Sequence, residues 1–575
     1  MKYRLVNENF KTNYGENLLH SRGVEDVNLF LNPTSECIQD PINLSNIHEG
    51  ATLLINVIDT NGRILIVVDS DTDGFTSAAI IYQYIHRINK DIEIEYLLHE
   101  GKQHGLEDHI NTIMDSGKTY NLIILPDSSS NDLDYHEQLK GISLPCLVLD
   151  HHLTDVEISS NAVVINNQLS PNYINKELTG AGVVYQFCRY LDSLLNVKYA
   201  DDYIDLAALG VIGDMGSMLT LENRYLAVKG LSNIKNFLFK SILDKQEYST
   251  GGKVNPITVA FYVVPLINAM IRVGTMDEKT RLFEAFIDGT KKIPSGKRGA
   301  KGTLEYAAIE SVRECTNART RQNKILDDAV GKLEAKVFKH DLLENKILFV
   351  RLDDDDDDFP SVLNGLCAMK LAAKFKKPTI VARLNDEGYI RGSARAVSNS
   401  PLPNLKSFFT NSGFFEYAMG HEGAHGISIS NKKLSDFHDW ANKELADVNF
   451  GEGVYDVNFS RAAADKDIED IIFDLAKYEN TWGQNNPEAL LYIHDLNITR
   501  NDYQIMGKNQ DTLKITKFGI SYMKFHAKEL IEELEKMDEI KINLIGKPNV
   551  NEWMGRQTPQ IFIEAYELED NKYGF

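Results

Sequence analysis

Four short apolar runs, "ILIVV" at 64–68, "LIIL" at 122–125, "CLVL" at 146–149 and "AVVI" at 162–165, are separated by polar stretches of helical character. Runs of four or five apolar residues bounded by turn signals read as strands buried on both faces, and the spacers supply the crossovers. A parallel α/β sheet is therefore expected in the first 215 residues. Ligands of such sheets sit beyond the carboxyl ends of the strands. The first three runs lead into Asp69, Asp127 and Asp150, and a further apolar stretch, "LAALGVIGDMGSM", leads into Asp214. Acidic groups are thus expected at four strand ends of one sheet.

The densest of these ends puts Asp69, Asp71 and Asp73 into five positions. Carboxylates that close repel strongly and must be held by protons, cationic side chains or metal ions. If the extended conformation persists, all three face one crevice before Gly74 turns the backbone into the helix "TSAAIIYQYI". An acidic helix N-terminus, favoured by capping and the helix dipole, accounts for the same letters without a ligand. His151 and His152 follow Asp150 directly. Neutral imidazole beside carboxylates suits a divalent metal, and a satisfied loop or core pair is the plainer alternative. Convergence of all these groups on one sheet favours the metal.

Composition narrows the partners. The formal charge of −22 argues against a general nucleic-acid coat, because phosphate backbones need cationic surface. An enzyme whose metal ions and local basic groove supply the field remains compatible with it. The five cysteines are scattered and form no Cys-x-x-Cys pair, so neither a disulfide frame nor a zinc knuckle is indicated. No apolar run approaches the roughly 20 residues of a membrane span, and the opening "MKYRLVNENFKTNYGEN" lacks a signal-peptide core, so a cytoplasmic location without membrane contact is expected.

The chain's 575 residues are about three or four domains' worth. Residues 201–345 look mostly helical, interrupted by the basic segment "TKKIPSGKRGAKG", whose Lys291, Lys292, Lys297, Arg298 and Lys301 suit either a single-strand track or an exposed loop. A long connector helix around "TRQNKILDDAVGKLEAKVF" leads to a second α/β unit, with "KILFV", "PTIVARL" and "GYIRGSAR" as strands. From about 450 the segments turn β-rich, as in a small barrel, with Trp553 as a base-stacking or core residue. The run Asp353 to Asp358 lacks the spaced ligands and turn glycine of a calcium loop and reads as a solvated acidic loop.

The motifs Asp-x-Asp-x-Asp-Gly at 69–74, the isolated Asp127, the triplet Asp150-His151-His152 and Asp214 resemble those of the DHH phosphoesterase superfamily. With "LTGAGVVYQF", "LENRYLAVKGL" and "VVPLINAMIRVG" in the same order, nearly the whole chain resembles its RecJ-like single-strand-specific exonucleases. The resemblance implies a DHH catalytic domain with a helical extension over 1–290, a basic loop and connector over 291–340, a DHH-associated substrate domain over 341–445 and an OB-like nucleic-acid-binding barrel over 446–575. It implies two divalent cations, Mn2+ or Mg2+, with Asp69 and Asp71 on one, Asp73, His151 and Asp214 on the other, and Asp127 bridging. His152 would stabilise charge on the phosphate and Asp150 would orient an imidazole. "GYIRGSARA" and "AMGHEGAHG" resemble the substrate domain's signature, so Ser393, Arg395, Gly420 and His421, with Arg272 and His104, would hold the substrate.

Activity on single-stranded DNA from the 5′ end, releasing mononucleotides, follows by the same resemblance. So do a bacterial or bacteriophage origin, a monomeric state and a helicase or single-strand-binding protein as partner. The alternatives are an oligonucleotide or cyclic-dinucleotide phosphodiesterase and a non-catalytic replication scaffold. Two departures bear on end selection: Met419 replaces a signature glycine, and His99 and His104 stand where RecJ-like sequences tend to carry Arg and Tyr.

Overall fold

The computed structural model describes residues 2–6, 11–101, 103–154, 157–352, 359, 361–402, 404–537 and 539–570. The Asp353–Asp358 run and the side chain of Trp553 lie outside the described residues. The chain divides into two compact units, one comprising 24–322 with 480–487, the other 1–23, 323–479 and 488–575.

The first unit is built on five parallel strands, β1 (Ile64–Val68), β2 (Ile94–Leu98), β3 (Leu122–Pro126), β4 (Cys146–Asp150) and β5 (Val163–Asn166), in the order β2-β1-β3-β4-β5. The four expected strands are present; β2 is not marked by an apolar run, because "IEIEYLL" mixes charge into it and four of its residues are only half-buried. Alternate residues of each strand feed two cores. Ile64, Ile66, Val68, Ile124, Leu147 and Leu149 pack with helices α1 (Thr72–Ile88) and α2 (Gly180–Leu195), while Leu65, Val67, Ile123, Leu125 and Val148 pack on the opposite face against Leu106, Ile110 and Leu139. Burial on both faces is why these strands read as unbroken apolar runs. The order reverses between β1 and β3, and a doubly wound sheet opens its ligand crevice at that switch point.

Helices complete the unit, and two sequence expectations change. "LAALGVIG" is a helix, α3 (Ile204–Gly213), with every residue from Ile204 to Ile212 buried, so it shows no amphipathic period to separate it from a strand. Pro256–Val273 is 18 residues long and apolar enough to span a membrane, contrary to the expectation that no such run exists. More than half of it is buried inside this unit, with Val259, Val263, Ile267 and Met270 in the core. The basic segment is an exposed loop whose ends pair as a short hairpin, Lys292–Pro294 with Leu304–Tyr306.

Among the described residues the second unit holds a two-stranded parallel pair, Lys2–Leu5 with Val454–Val457, and two larger sheets. Three strands, Leu348–Leu352, Thr379–Leu384 and Tyr389–Arg395, are joined by the hairpin Phe415–His421 and Ala424–Ser430 in a five-stranded sheet. A seven-stranded sheet, dominated by the long antiparallel pair Glu539–Trp553 and Arg556–Asp570, forms the C-terminal β region. All five cysteines are free and buried.

Candidate metal centre and active site

Strand β1 ends at Val68 and α1 begins at Thr72, so the three aspartates do not share one extended edge. Asp71 is the N-cap of α1, its carboxylate accepting the Gly74 N–H at 3.0 Å, and Asp73 sits in the first helical turn. Capping and site-building are therefore the same local event. Asp73 is buried and accepts the Gly180 and Ala181 N–H groups at 2.7 and 3.0 Å, with the Thr179 hydroxyl at 3.1 Å. The N-terminus of α2 is a fitting place for that charge, since free N–H groups and the dipole both favour an anion.

Asp127 follows β3 with φ of 65°, a left-handed conformation that costs a non-glycine residue energy and is found where a side chain must be aimed. Its N–H is held by the Leu149 carbonyl at 2.8 Å. A Cβ at Gly180 would lie 2.2 Å from Asp127 Oδ1, so glycine is what lets α2 approach this carboxylate.

Asp214 does not end a strand: it caps the C-terminus of α3. The dipole there opposes negative charge, so a cation beside this carboxylate is favoured. Opposite it stands His151, whose Nε2 lies 3.1 Å from Asp127 Oδ1, 3.5 Å from Asp214 Oδ2 and 3.9 Å from Asp73 Oδ2.

Three sets of potential ligand atoms result, each within 4.8 Å: Asp69 with Asp71 and Asp127; Asp73 with His151 and Asp214; Asp127 with Asp150, His151 and His152. Asp69 Oδ1, Asp127 Oδ1 and His151 Nε2 are buried without a hydrogen-bond partner among the described residues. Burial pushes the Asp127 carboxyl well above its ordinary value, and repulsion from Asp73, Asp71, Asp69 and Asp214 adds to it. Asp73 is pushed up to about 7 by burial, with Asp214 and Asp71 contributing. Burial also raises Asp69. Burial and the neighbouring His152 charge keep His151 neutral, as a metal ligand must be. Hard carboxylates, one neutral imidazole and orphaned buried atoms aimed at a common space fit a pair of divalent cations.

Asp150 behaves differently. Its carboxylate accepts the N–H groups of Ser130, His151 and His152 and bonds His152 Nδ1 at 2.8 Å. Burial opposes its charge, yet the pair with His152 holds it well below the usual carboxylate range. Burial likewise opposes charge on His152, and Asp150 overrides it, pushing that imidazole up to about 10. The His152 side chain is half exposed, so a buried carboxylate presents an imidazolium at the rim.

Several supports were not legible as site residues. Asn268 accepts the Thr72 N–H and hydroxyl at 3.1 and 2.9 Å, fixing the start of α1, and the Asn166 amide donates to the His152 carbonyl at 3.0 Å. The only sequence signal for them is a polar residue inside an apolar stretch. Arg272 lies in this unit, half-buried, and feels the Asp71 charge. His99 is fully buried, its ring 4.4 Å from that of His109, and is not a surface group able to read a DNA end. His104 Nδ1 lies 2.6 Å from Asp69 Oδ2.

In the second unit, Ser393 pairs with Gly426 and Arg395 with Ala424, while Gly420 pairs with His425 and His421 with Ala424. Ser393, Arg395, Gly420 and His421 thus gather at one end of the five-stranded sheet. His421 is exposed at the hairpin tip, and the buried His425 bonds its carbonyl at 3.2 Å.

Comparison with known proteins matches residues 63–211 to the N-terminal domain of the DHH family and 464–565 to the RecJ OB domain. A Bacillus subtilis protein assigned as the SPbeta prophage-derived single-strand DNA-specific exonuclease YorK is 36% identical over 99% of this chain and 98% of its own length. The single-stranded-DNA-specific exonuclease RecJ of the same organism is 24% identical over 95% of this chain and 67% of its own. The crystal structure of RecJ from Thermus thermophilus in complex with Mn2+ superposes with a TM-score of 0.74 at 17% identity, covering 98% of this chain and 79% of that one. Its fold is the fold described above. Shared motifs, shared domains and this similarity along nearly the full length place the chain in a family: it belongs to the RecJ-like single-strand-specific exonucleases of the DHH superfamily.

Proposed function

We propose that this chain is a metal-dependent exonuclease that hydrolyses single-stranded DNA from the 5′ end to mononucleotides. The observation that carries the reading is the convergence of five carboxylates and a neutral imidazole, with orphaned buried atoms, at the switch point of the catalytic sheet. The relatives are named for single-stranded DNA, and solved RecJ structures hold Mn2+ or Mg2+. Asp69, Asp71 and Asp127 would hold one divalent cation and Asp73, His151 and Asp214 the other, Asp127 being shared. When bound, such ions polarise the phosphate and make water acidic enough to act as nucleophile near neutral pH.

The chain's own groups do the rest. Hydrolysis joins the water oxygen to phosphorus and breaks the bridging P–O bond, so negative charge grows on the phosphate oxygens. His152, its Nδ1 proton committed to Asp150, meets that charge as a fixed imidazolium, a donor that needs no reorganisation when the reaction occurs. Arg272, Ser393, Arg395, Gly420 and His421 are assigned to the substrate's phosphates, and the C-terminal β region to longer strands. The regional division at 290, 340 and 445, a monomeric state, a cytoplasmic location and a helicase or single-strand-binding partner belong to the same proposal.

The test is a Mn2+-dependent assay on long single strands labelled at either end, duplex, dinucleotides and cyclic dinucleotides. Mononucleotide release from the 5′ end of long single strands is expected. Preference for cyclic dinucleotides, or no hydrolysis at all, overturns the reading.

A further inference from the structure

Among the buried carboxylates of the crevice, Asp69 stands out for how it is held. Asp73 takes its hydrogen bonds from a helix N-terminus and Asp150 from three backbone N–H groups. No backbone donor to Asp69 is found among the described residues. Its Oδ2 meets His104 Nδ1 at 2.6 Å, and its Oδ1 is buried and unpartnered. A carboxylate at a strand end without backbone donors is free to rotate about two torsions, and one oxygen must be fixed for the other to face a cation.

We infer that His104 is a positioning residue: its Nδ1–H fixes Asp69 Oδ2 so that Oδ1 is presented, already oriented, to the cation shared with Asp71 and Asp127. The inference rests on the metal-site reading proposed above. His104 differs from His151 in the way that matters. His151 Nε2 faces three carboxylates at 3.1 to 3.9 Å, as one ligand atom faces the others around a common cation. His104 makes a short bond to the Asp69 carboxylate and belongs to none of the three potential ligand sets among the described residues.

The loop carrying His104 is pinned as a positioning role requires. The buried Lys279 donates its Nζ to the His99 carbonyl at 3.1 Å and also to the Glu100 carbonyl. The Ser70 hydroxyl, next to Asp69 in the chain, donates to the Gln103 carbonyl, and the Leu106 N–H donates to Asp132 Oδ2 at 3.0 Å. Gly105 permits the turn: its φ is +70°, and a Cβ there would stand 2.3 Å from Asp132 Oδ2. The loop is thus tied to the residue adjoining the carboxylate that His104 contacts. Partners that orient a ligand typically cost about 10–100-fold in metal affinity when removed.

The test compares the full-length protein with His104→Ala, His104→Phe and His104→Asn by Mn2+ titration, counting free ion by electron paramagnetic resonance, and by steady-state kinetics over a range of Mn2+. Wild type should bind two ions. His104→Phe, which keeps the ring volume but has no donor, should weaken one of them about 10–100-fold and leave the other. Its lost kcat should return at saturating Mn2+ with KM for single-stranded DNA unchanged. His104→Asn, whose amide can reach as Nδ1 does, should stay within a few-fold of wild type; should His104→Ala fail to fold, His104→Phe carries the comparison alone. Unchanged Mn2+ affinity with a raised KM makes His104 a DNA contact and overturns the inference while leaving the nuclease reading intact. A wild type that binds no Mn2+ overturns both.

Discussion

Two neighbouring corners of one crevice hold buried aspartates in opposite ways. At the end of β4, Asp150 is surrounded by backbone donors and by the His152 cation, and stays ionised. Across the crevice, burial raises Asp69, Asp73 and Asp127, and neighbouring carboxylates raise them further. Burial is common to both corners, so it does not decide the outcome. What differs is whether the protein itself supplies a full positive charge: the His152 imidazolium faces Asp150, whereas a neutral imidazole and other carboxylates face Asp127. Where it does, a carboxylate becomes a fixed support; where it does not, the site is built for a charge that comes from outside.

The largest effect should come from the corner that lacks its own cation. Asp127→Ala should lower kcat by about 10³-fold or more, the several kcal/mol of transition-state stabilisation that a misplaced ion pair forfeits, as measured by mononucleotide release at saturating Mn2+. Asp127→Asn should raise the metal-free Tm, because it removes a repelled buried charge; a fall would show that the two corners are not different in kind.

At the other corner, His152→Gln should lower kcat about 10²–10³-fold, as loss of a preorganised donor does, with little change in Mn2+ affinity. Asp150→Ala should in addition destabilise the fold. It strands three backbone N–H groups, each worth about 1–3 kcal/mol when buried and unsatisfied, and calorimetry with and without Mn2+ should show the loss in both.

Chelation sharpens the comparison by pH. In the folded metal-free chain Asp73 is pushed up to about 7 by burial, with Asp214 and Asp71 contributing, and it keeps a proton that the unfolded chain has released. The folded state therefore binds more protons between the ordinary carboxylate value and 7, and the contribution of this group to stability is lost as pH rises through 7. The metal-free Tm should fall over that interval. Mn2+ competes with those protons, so the rise in Tm it produces should grow with pH, each bound ion contributing about 2.7 kcal/mol of stabilisation at a hundred times its Kd.

The smallest effect belongs outside the crevice. Lys297→Glu together with Arg298→Glu, on the exposed basic loop, should leave hydrolysis of short strands unchanged. If the loop tracks DNA, the salt dependence of long-strand binding should become shallower by about 0.7 for each phosphate that is no longer neutralised. An unchanged slope makes the loop a solvated connector.

Much of the fold was legible because it is written in local periodicity. The buried strands of the catalytic sheet and the helix "TSAAIIYQYI" follow from apolar runs and spacing. The apolar stretch leading into Asp214 is a helix and not the expected strand. A helix buried on every side loses the polar stripe that marks it, and only packing tells it from a strand. Asp71 and Asp73 were expected on an extended edge, and the cap at Asp71 started the helix sooner. Arg, Ser and Gly residues of "GYIRGSARA" and "AMGHEGAHG" do gather at one sheet end, because strand register is fixed by the alternation of buried and exposed residues.

The sequence by itself determined which chemical groups are present and where the chain turns, since ligand type and local conformation are properties of a residue and its near neighbours. Only the tertiary structure decided that Asp150 takes a cation from within while Asp127 is buried among carboxylates and a neutral imidazole, and that His104 faces Asp69 across 35 positions of chain. Charge state and donor supply depend on burial and on groups brought close from distant segments, and neither is encoded in any one stretch.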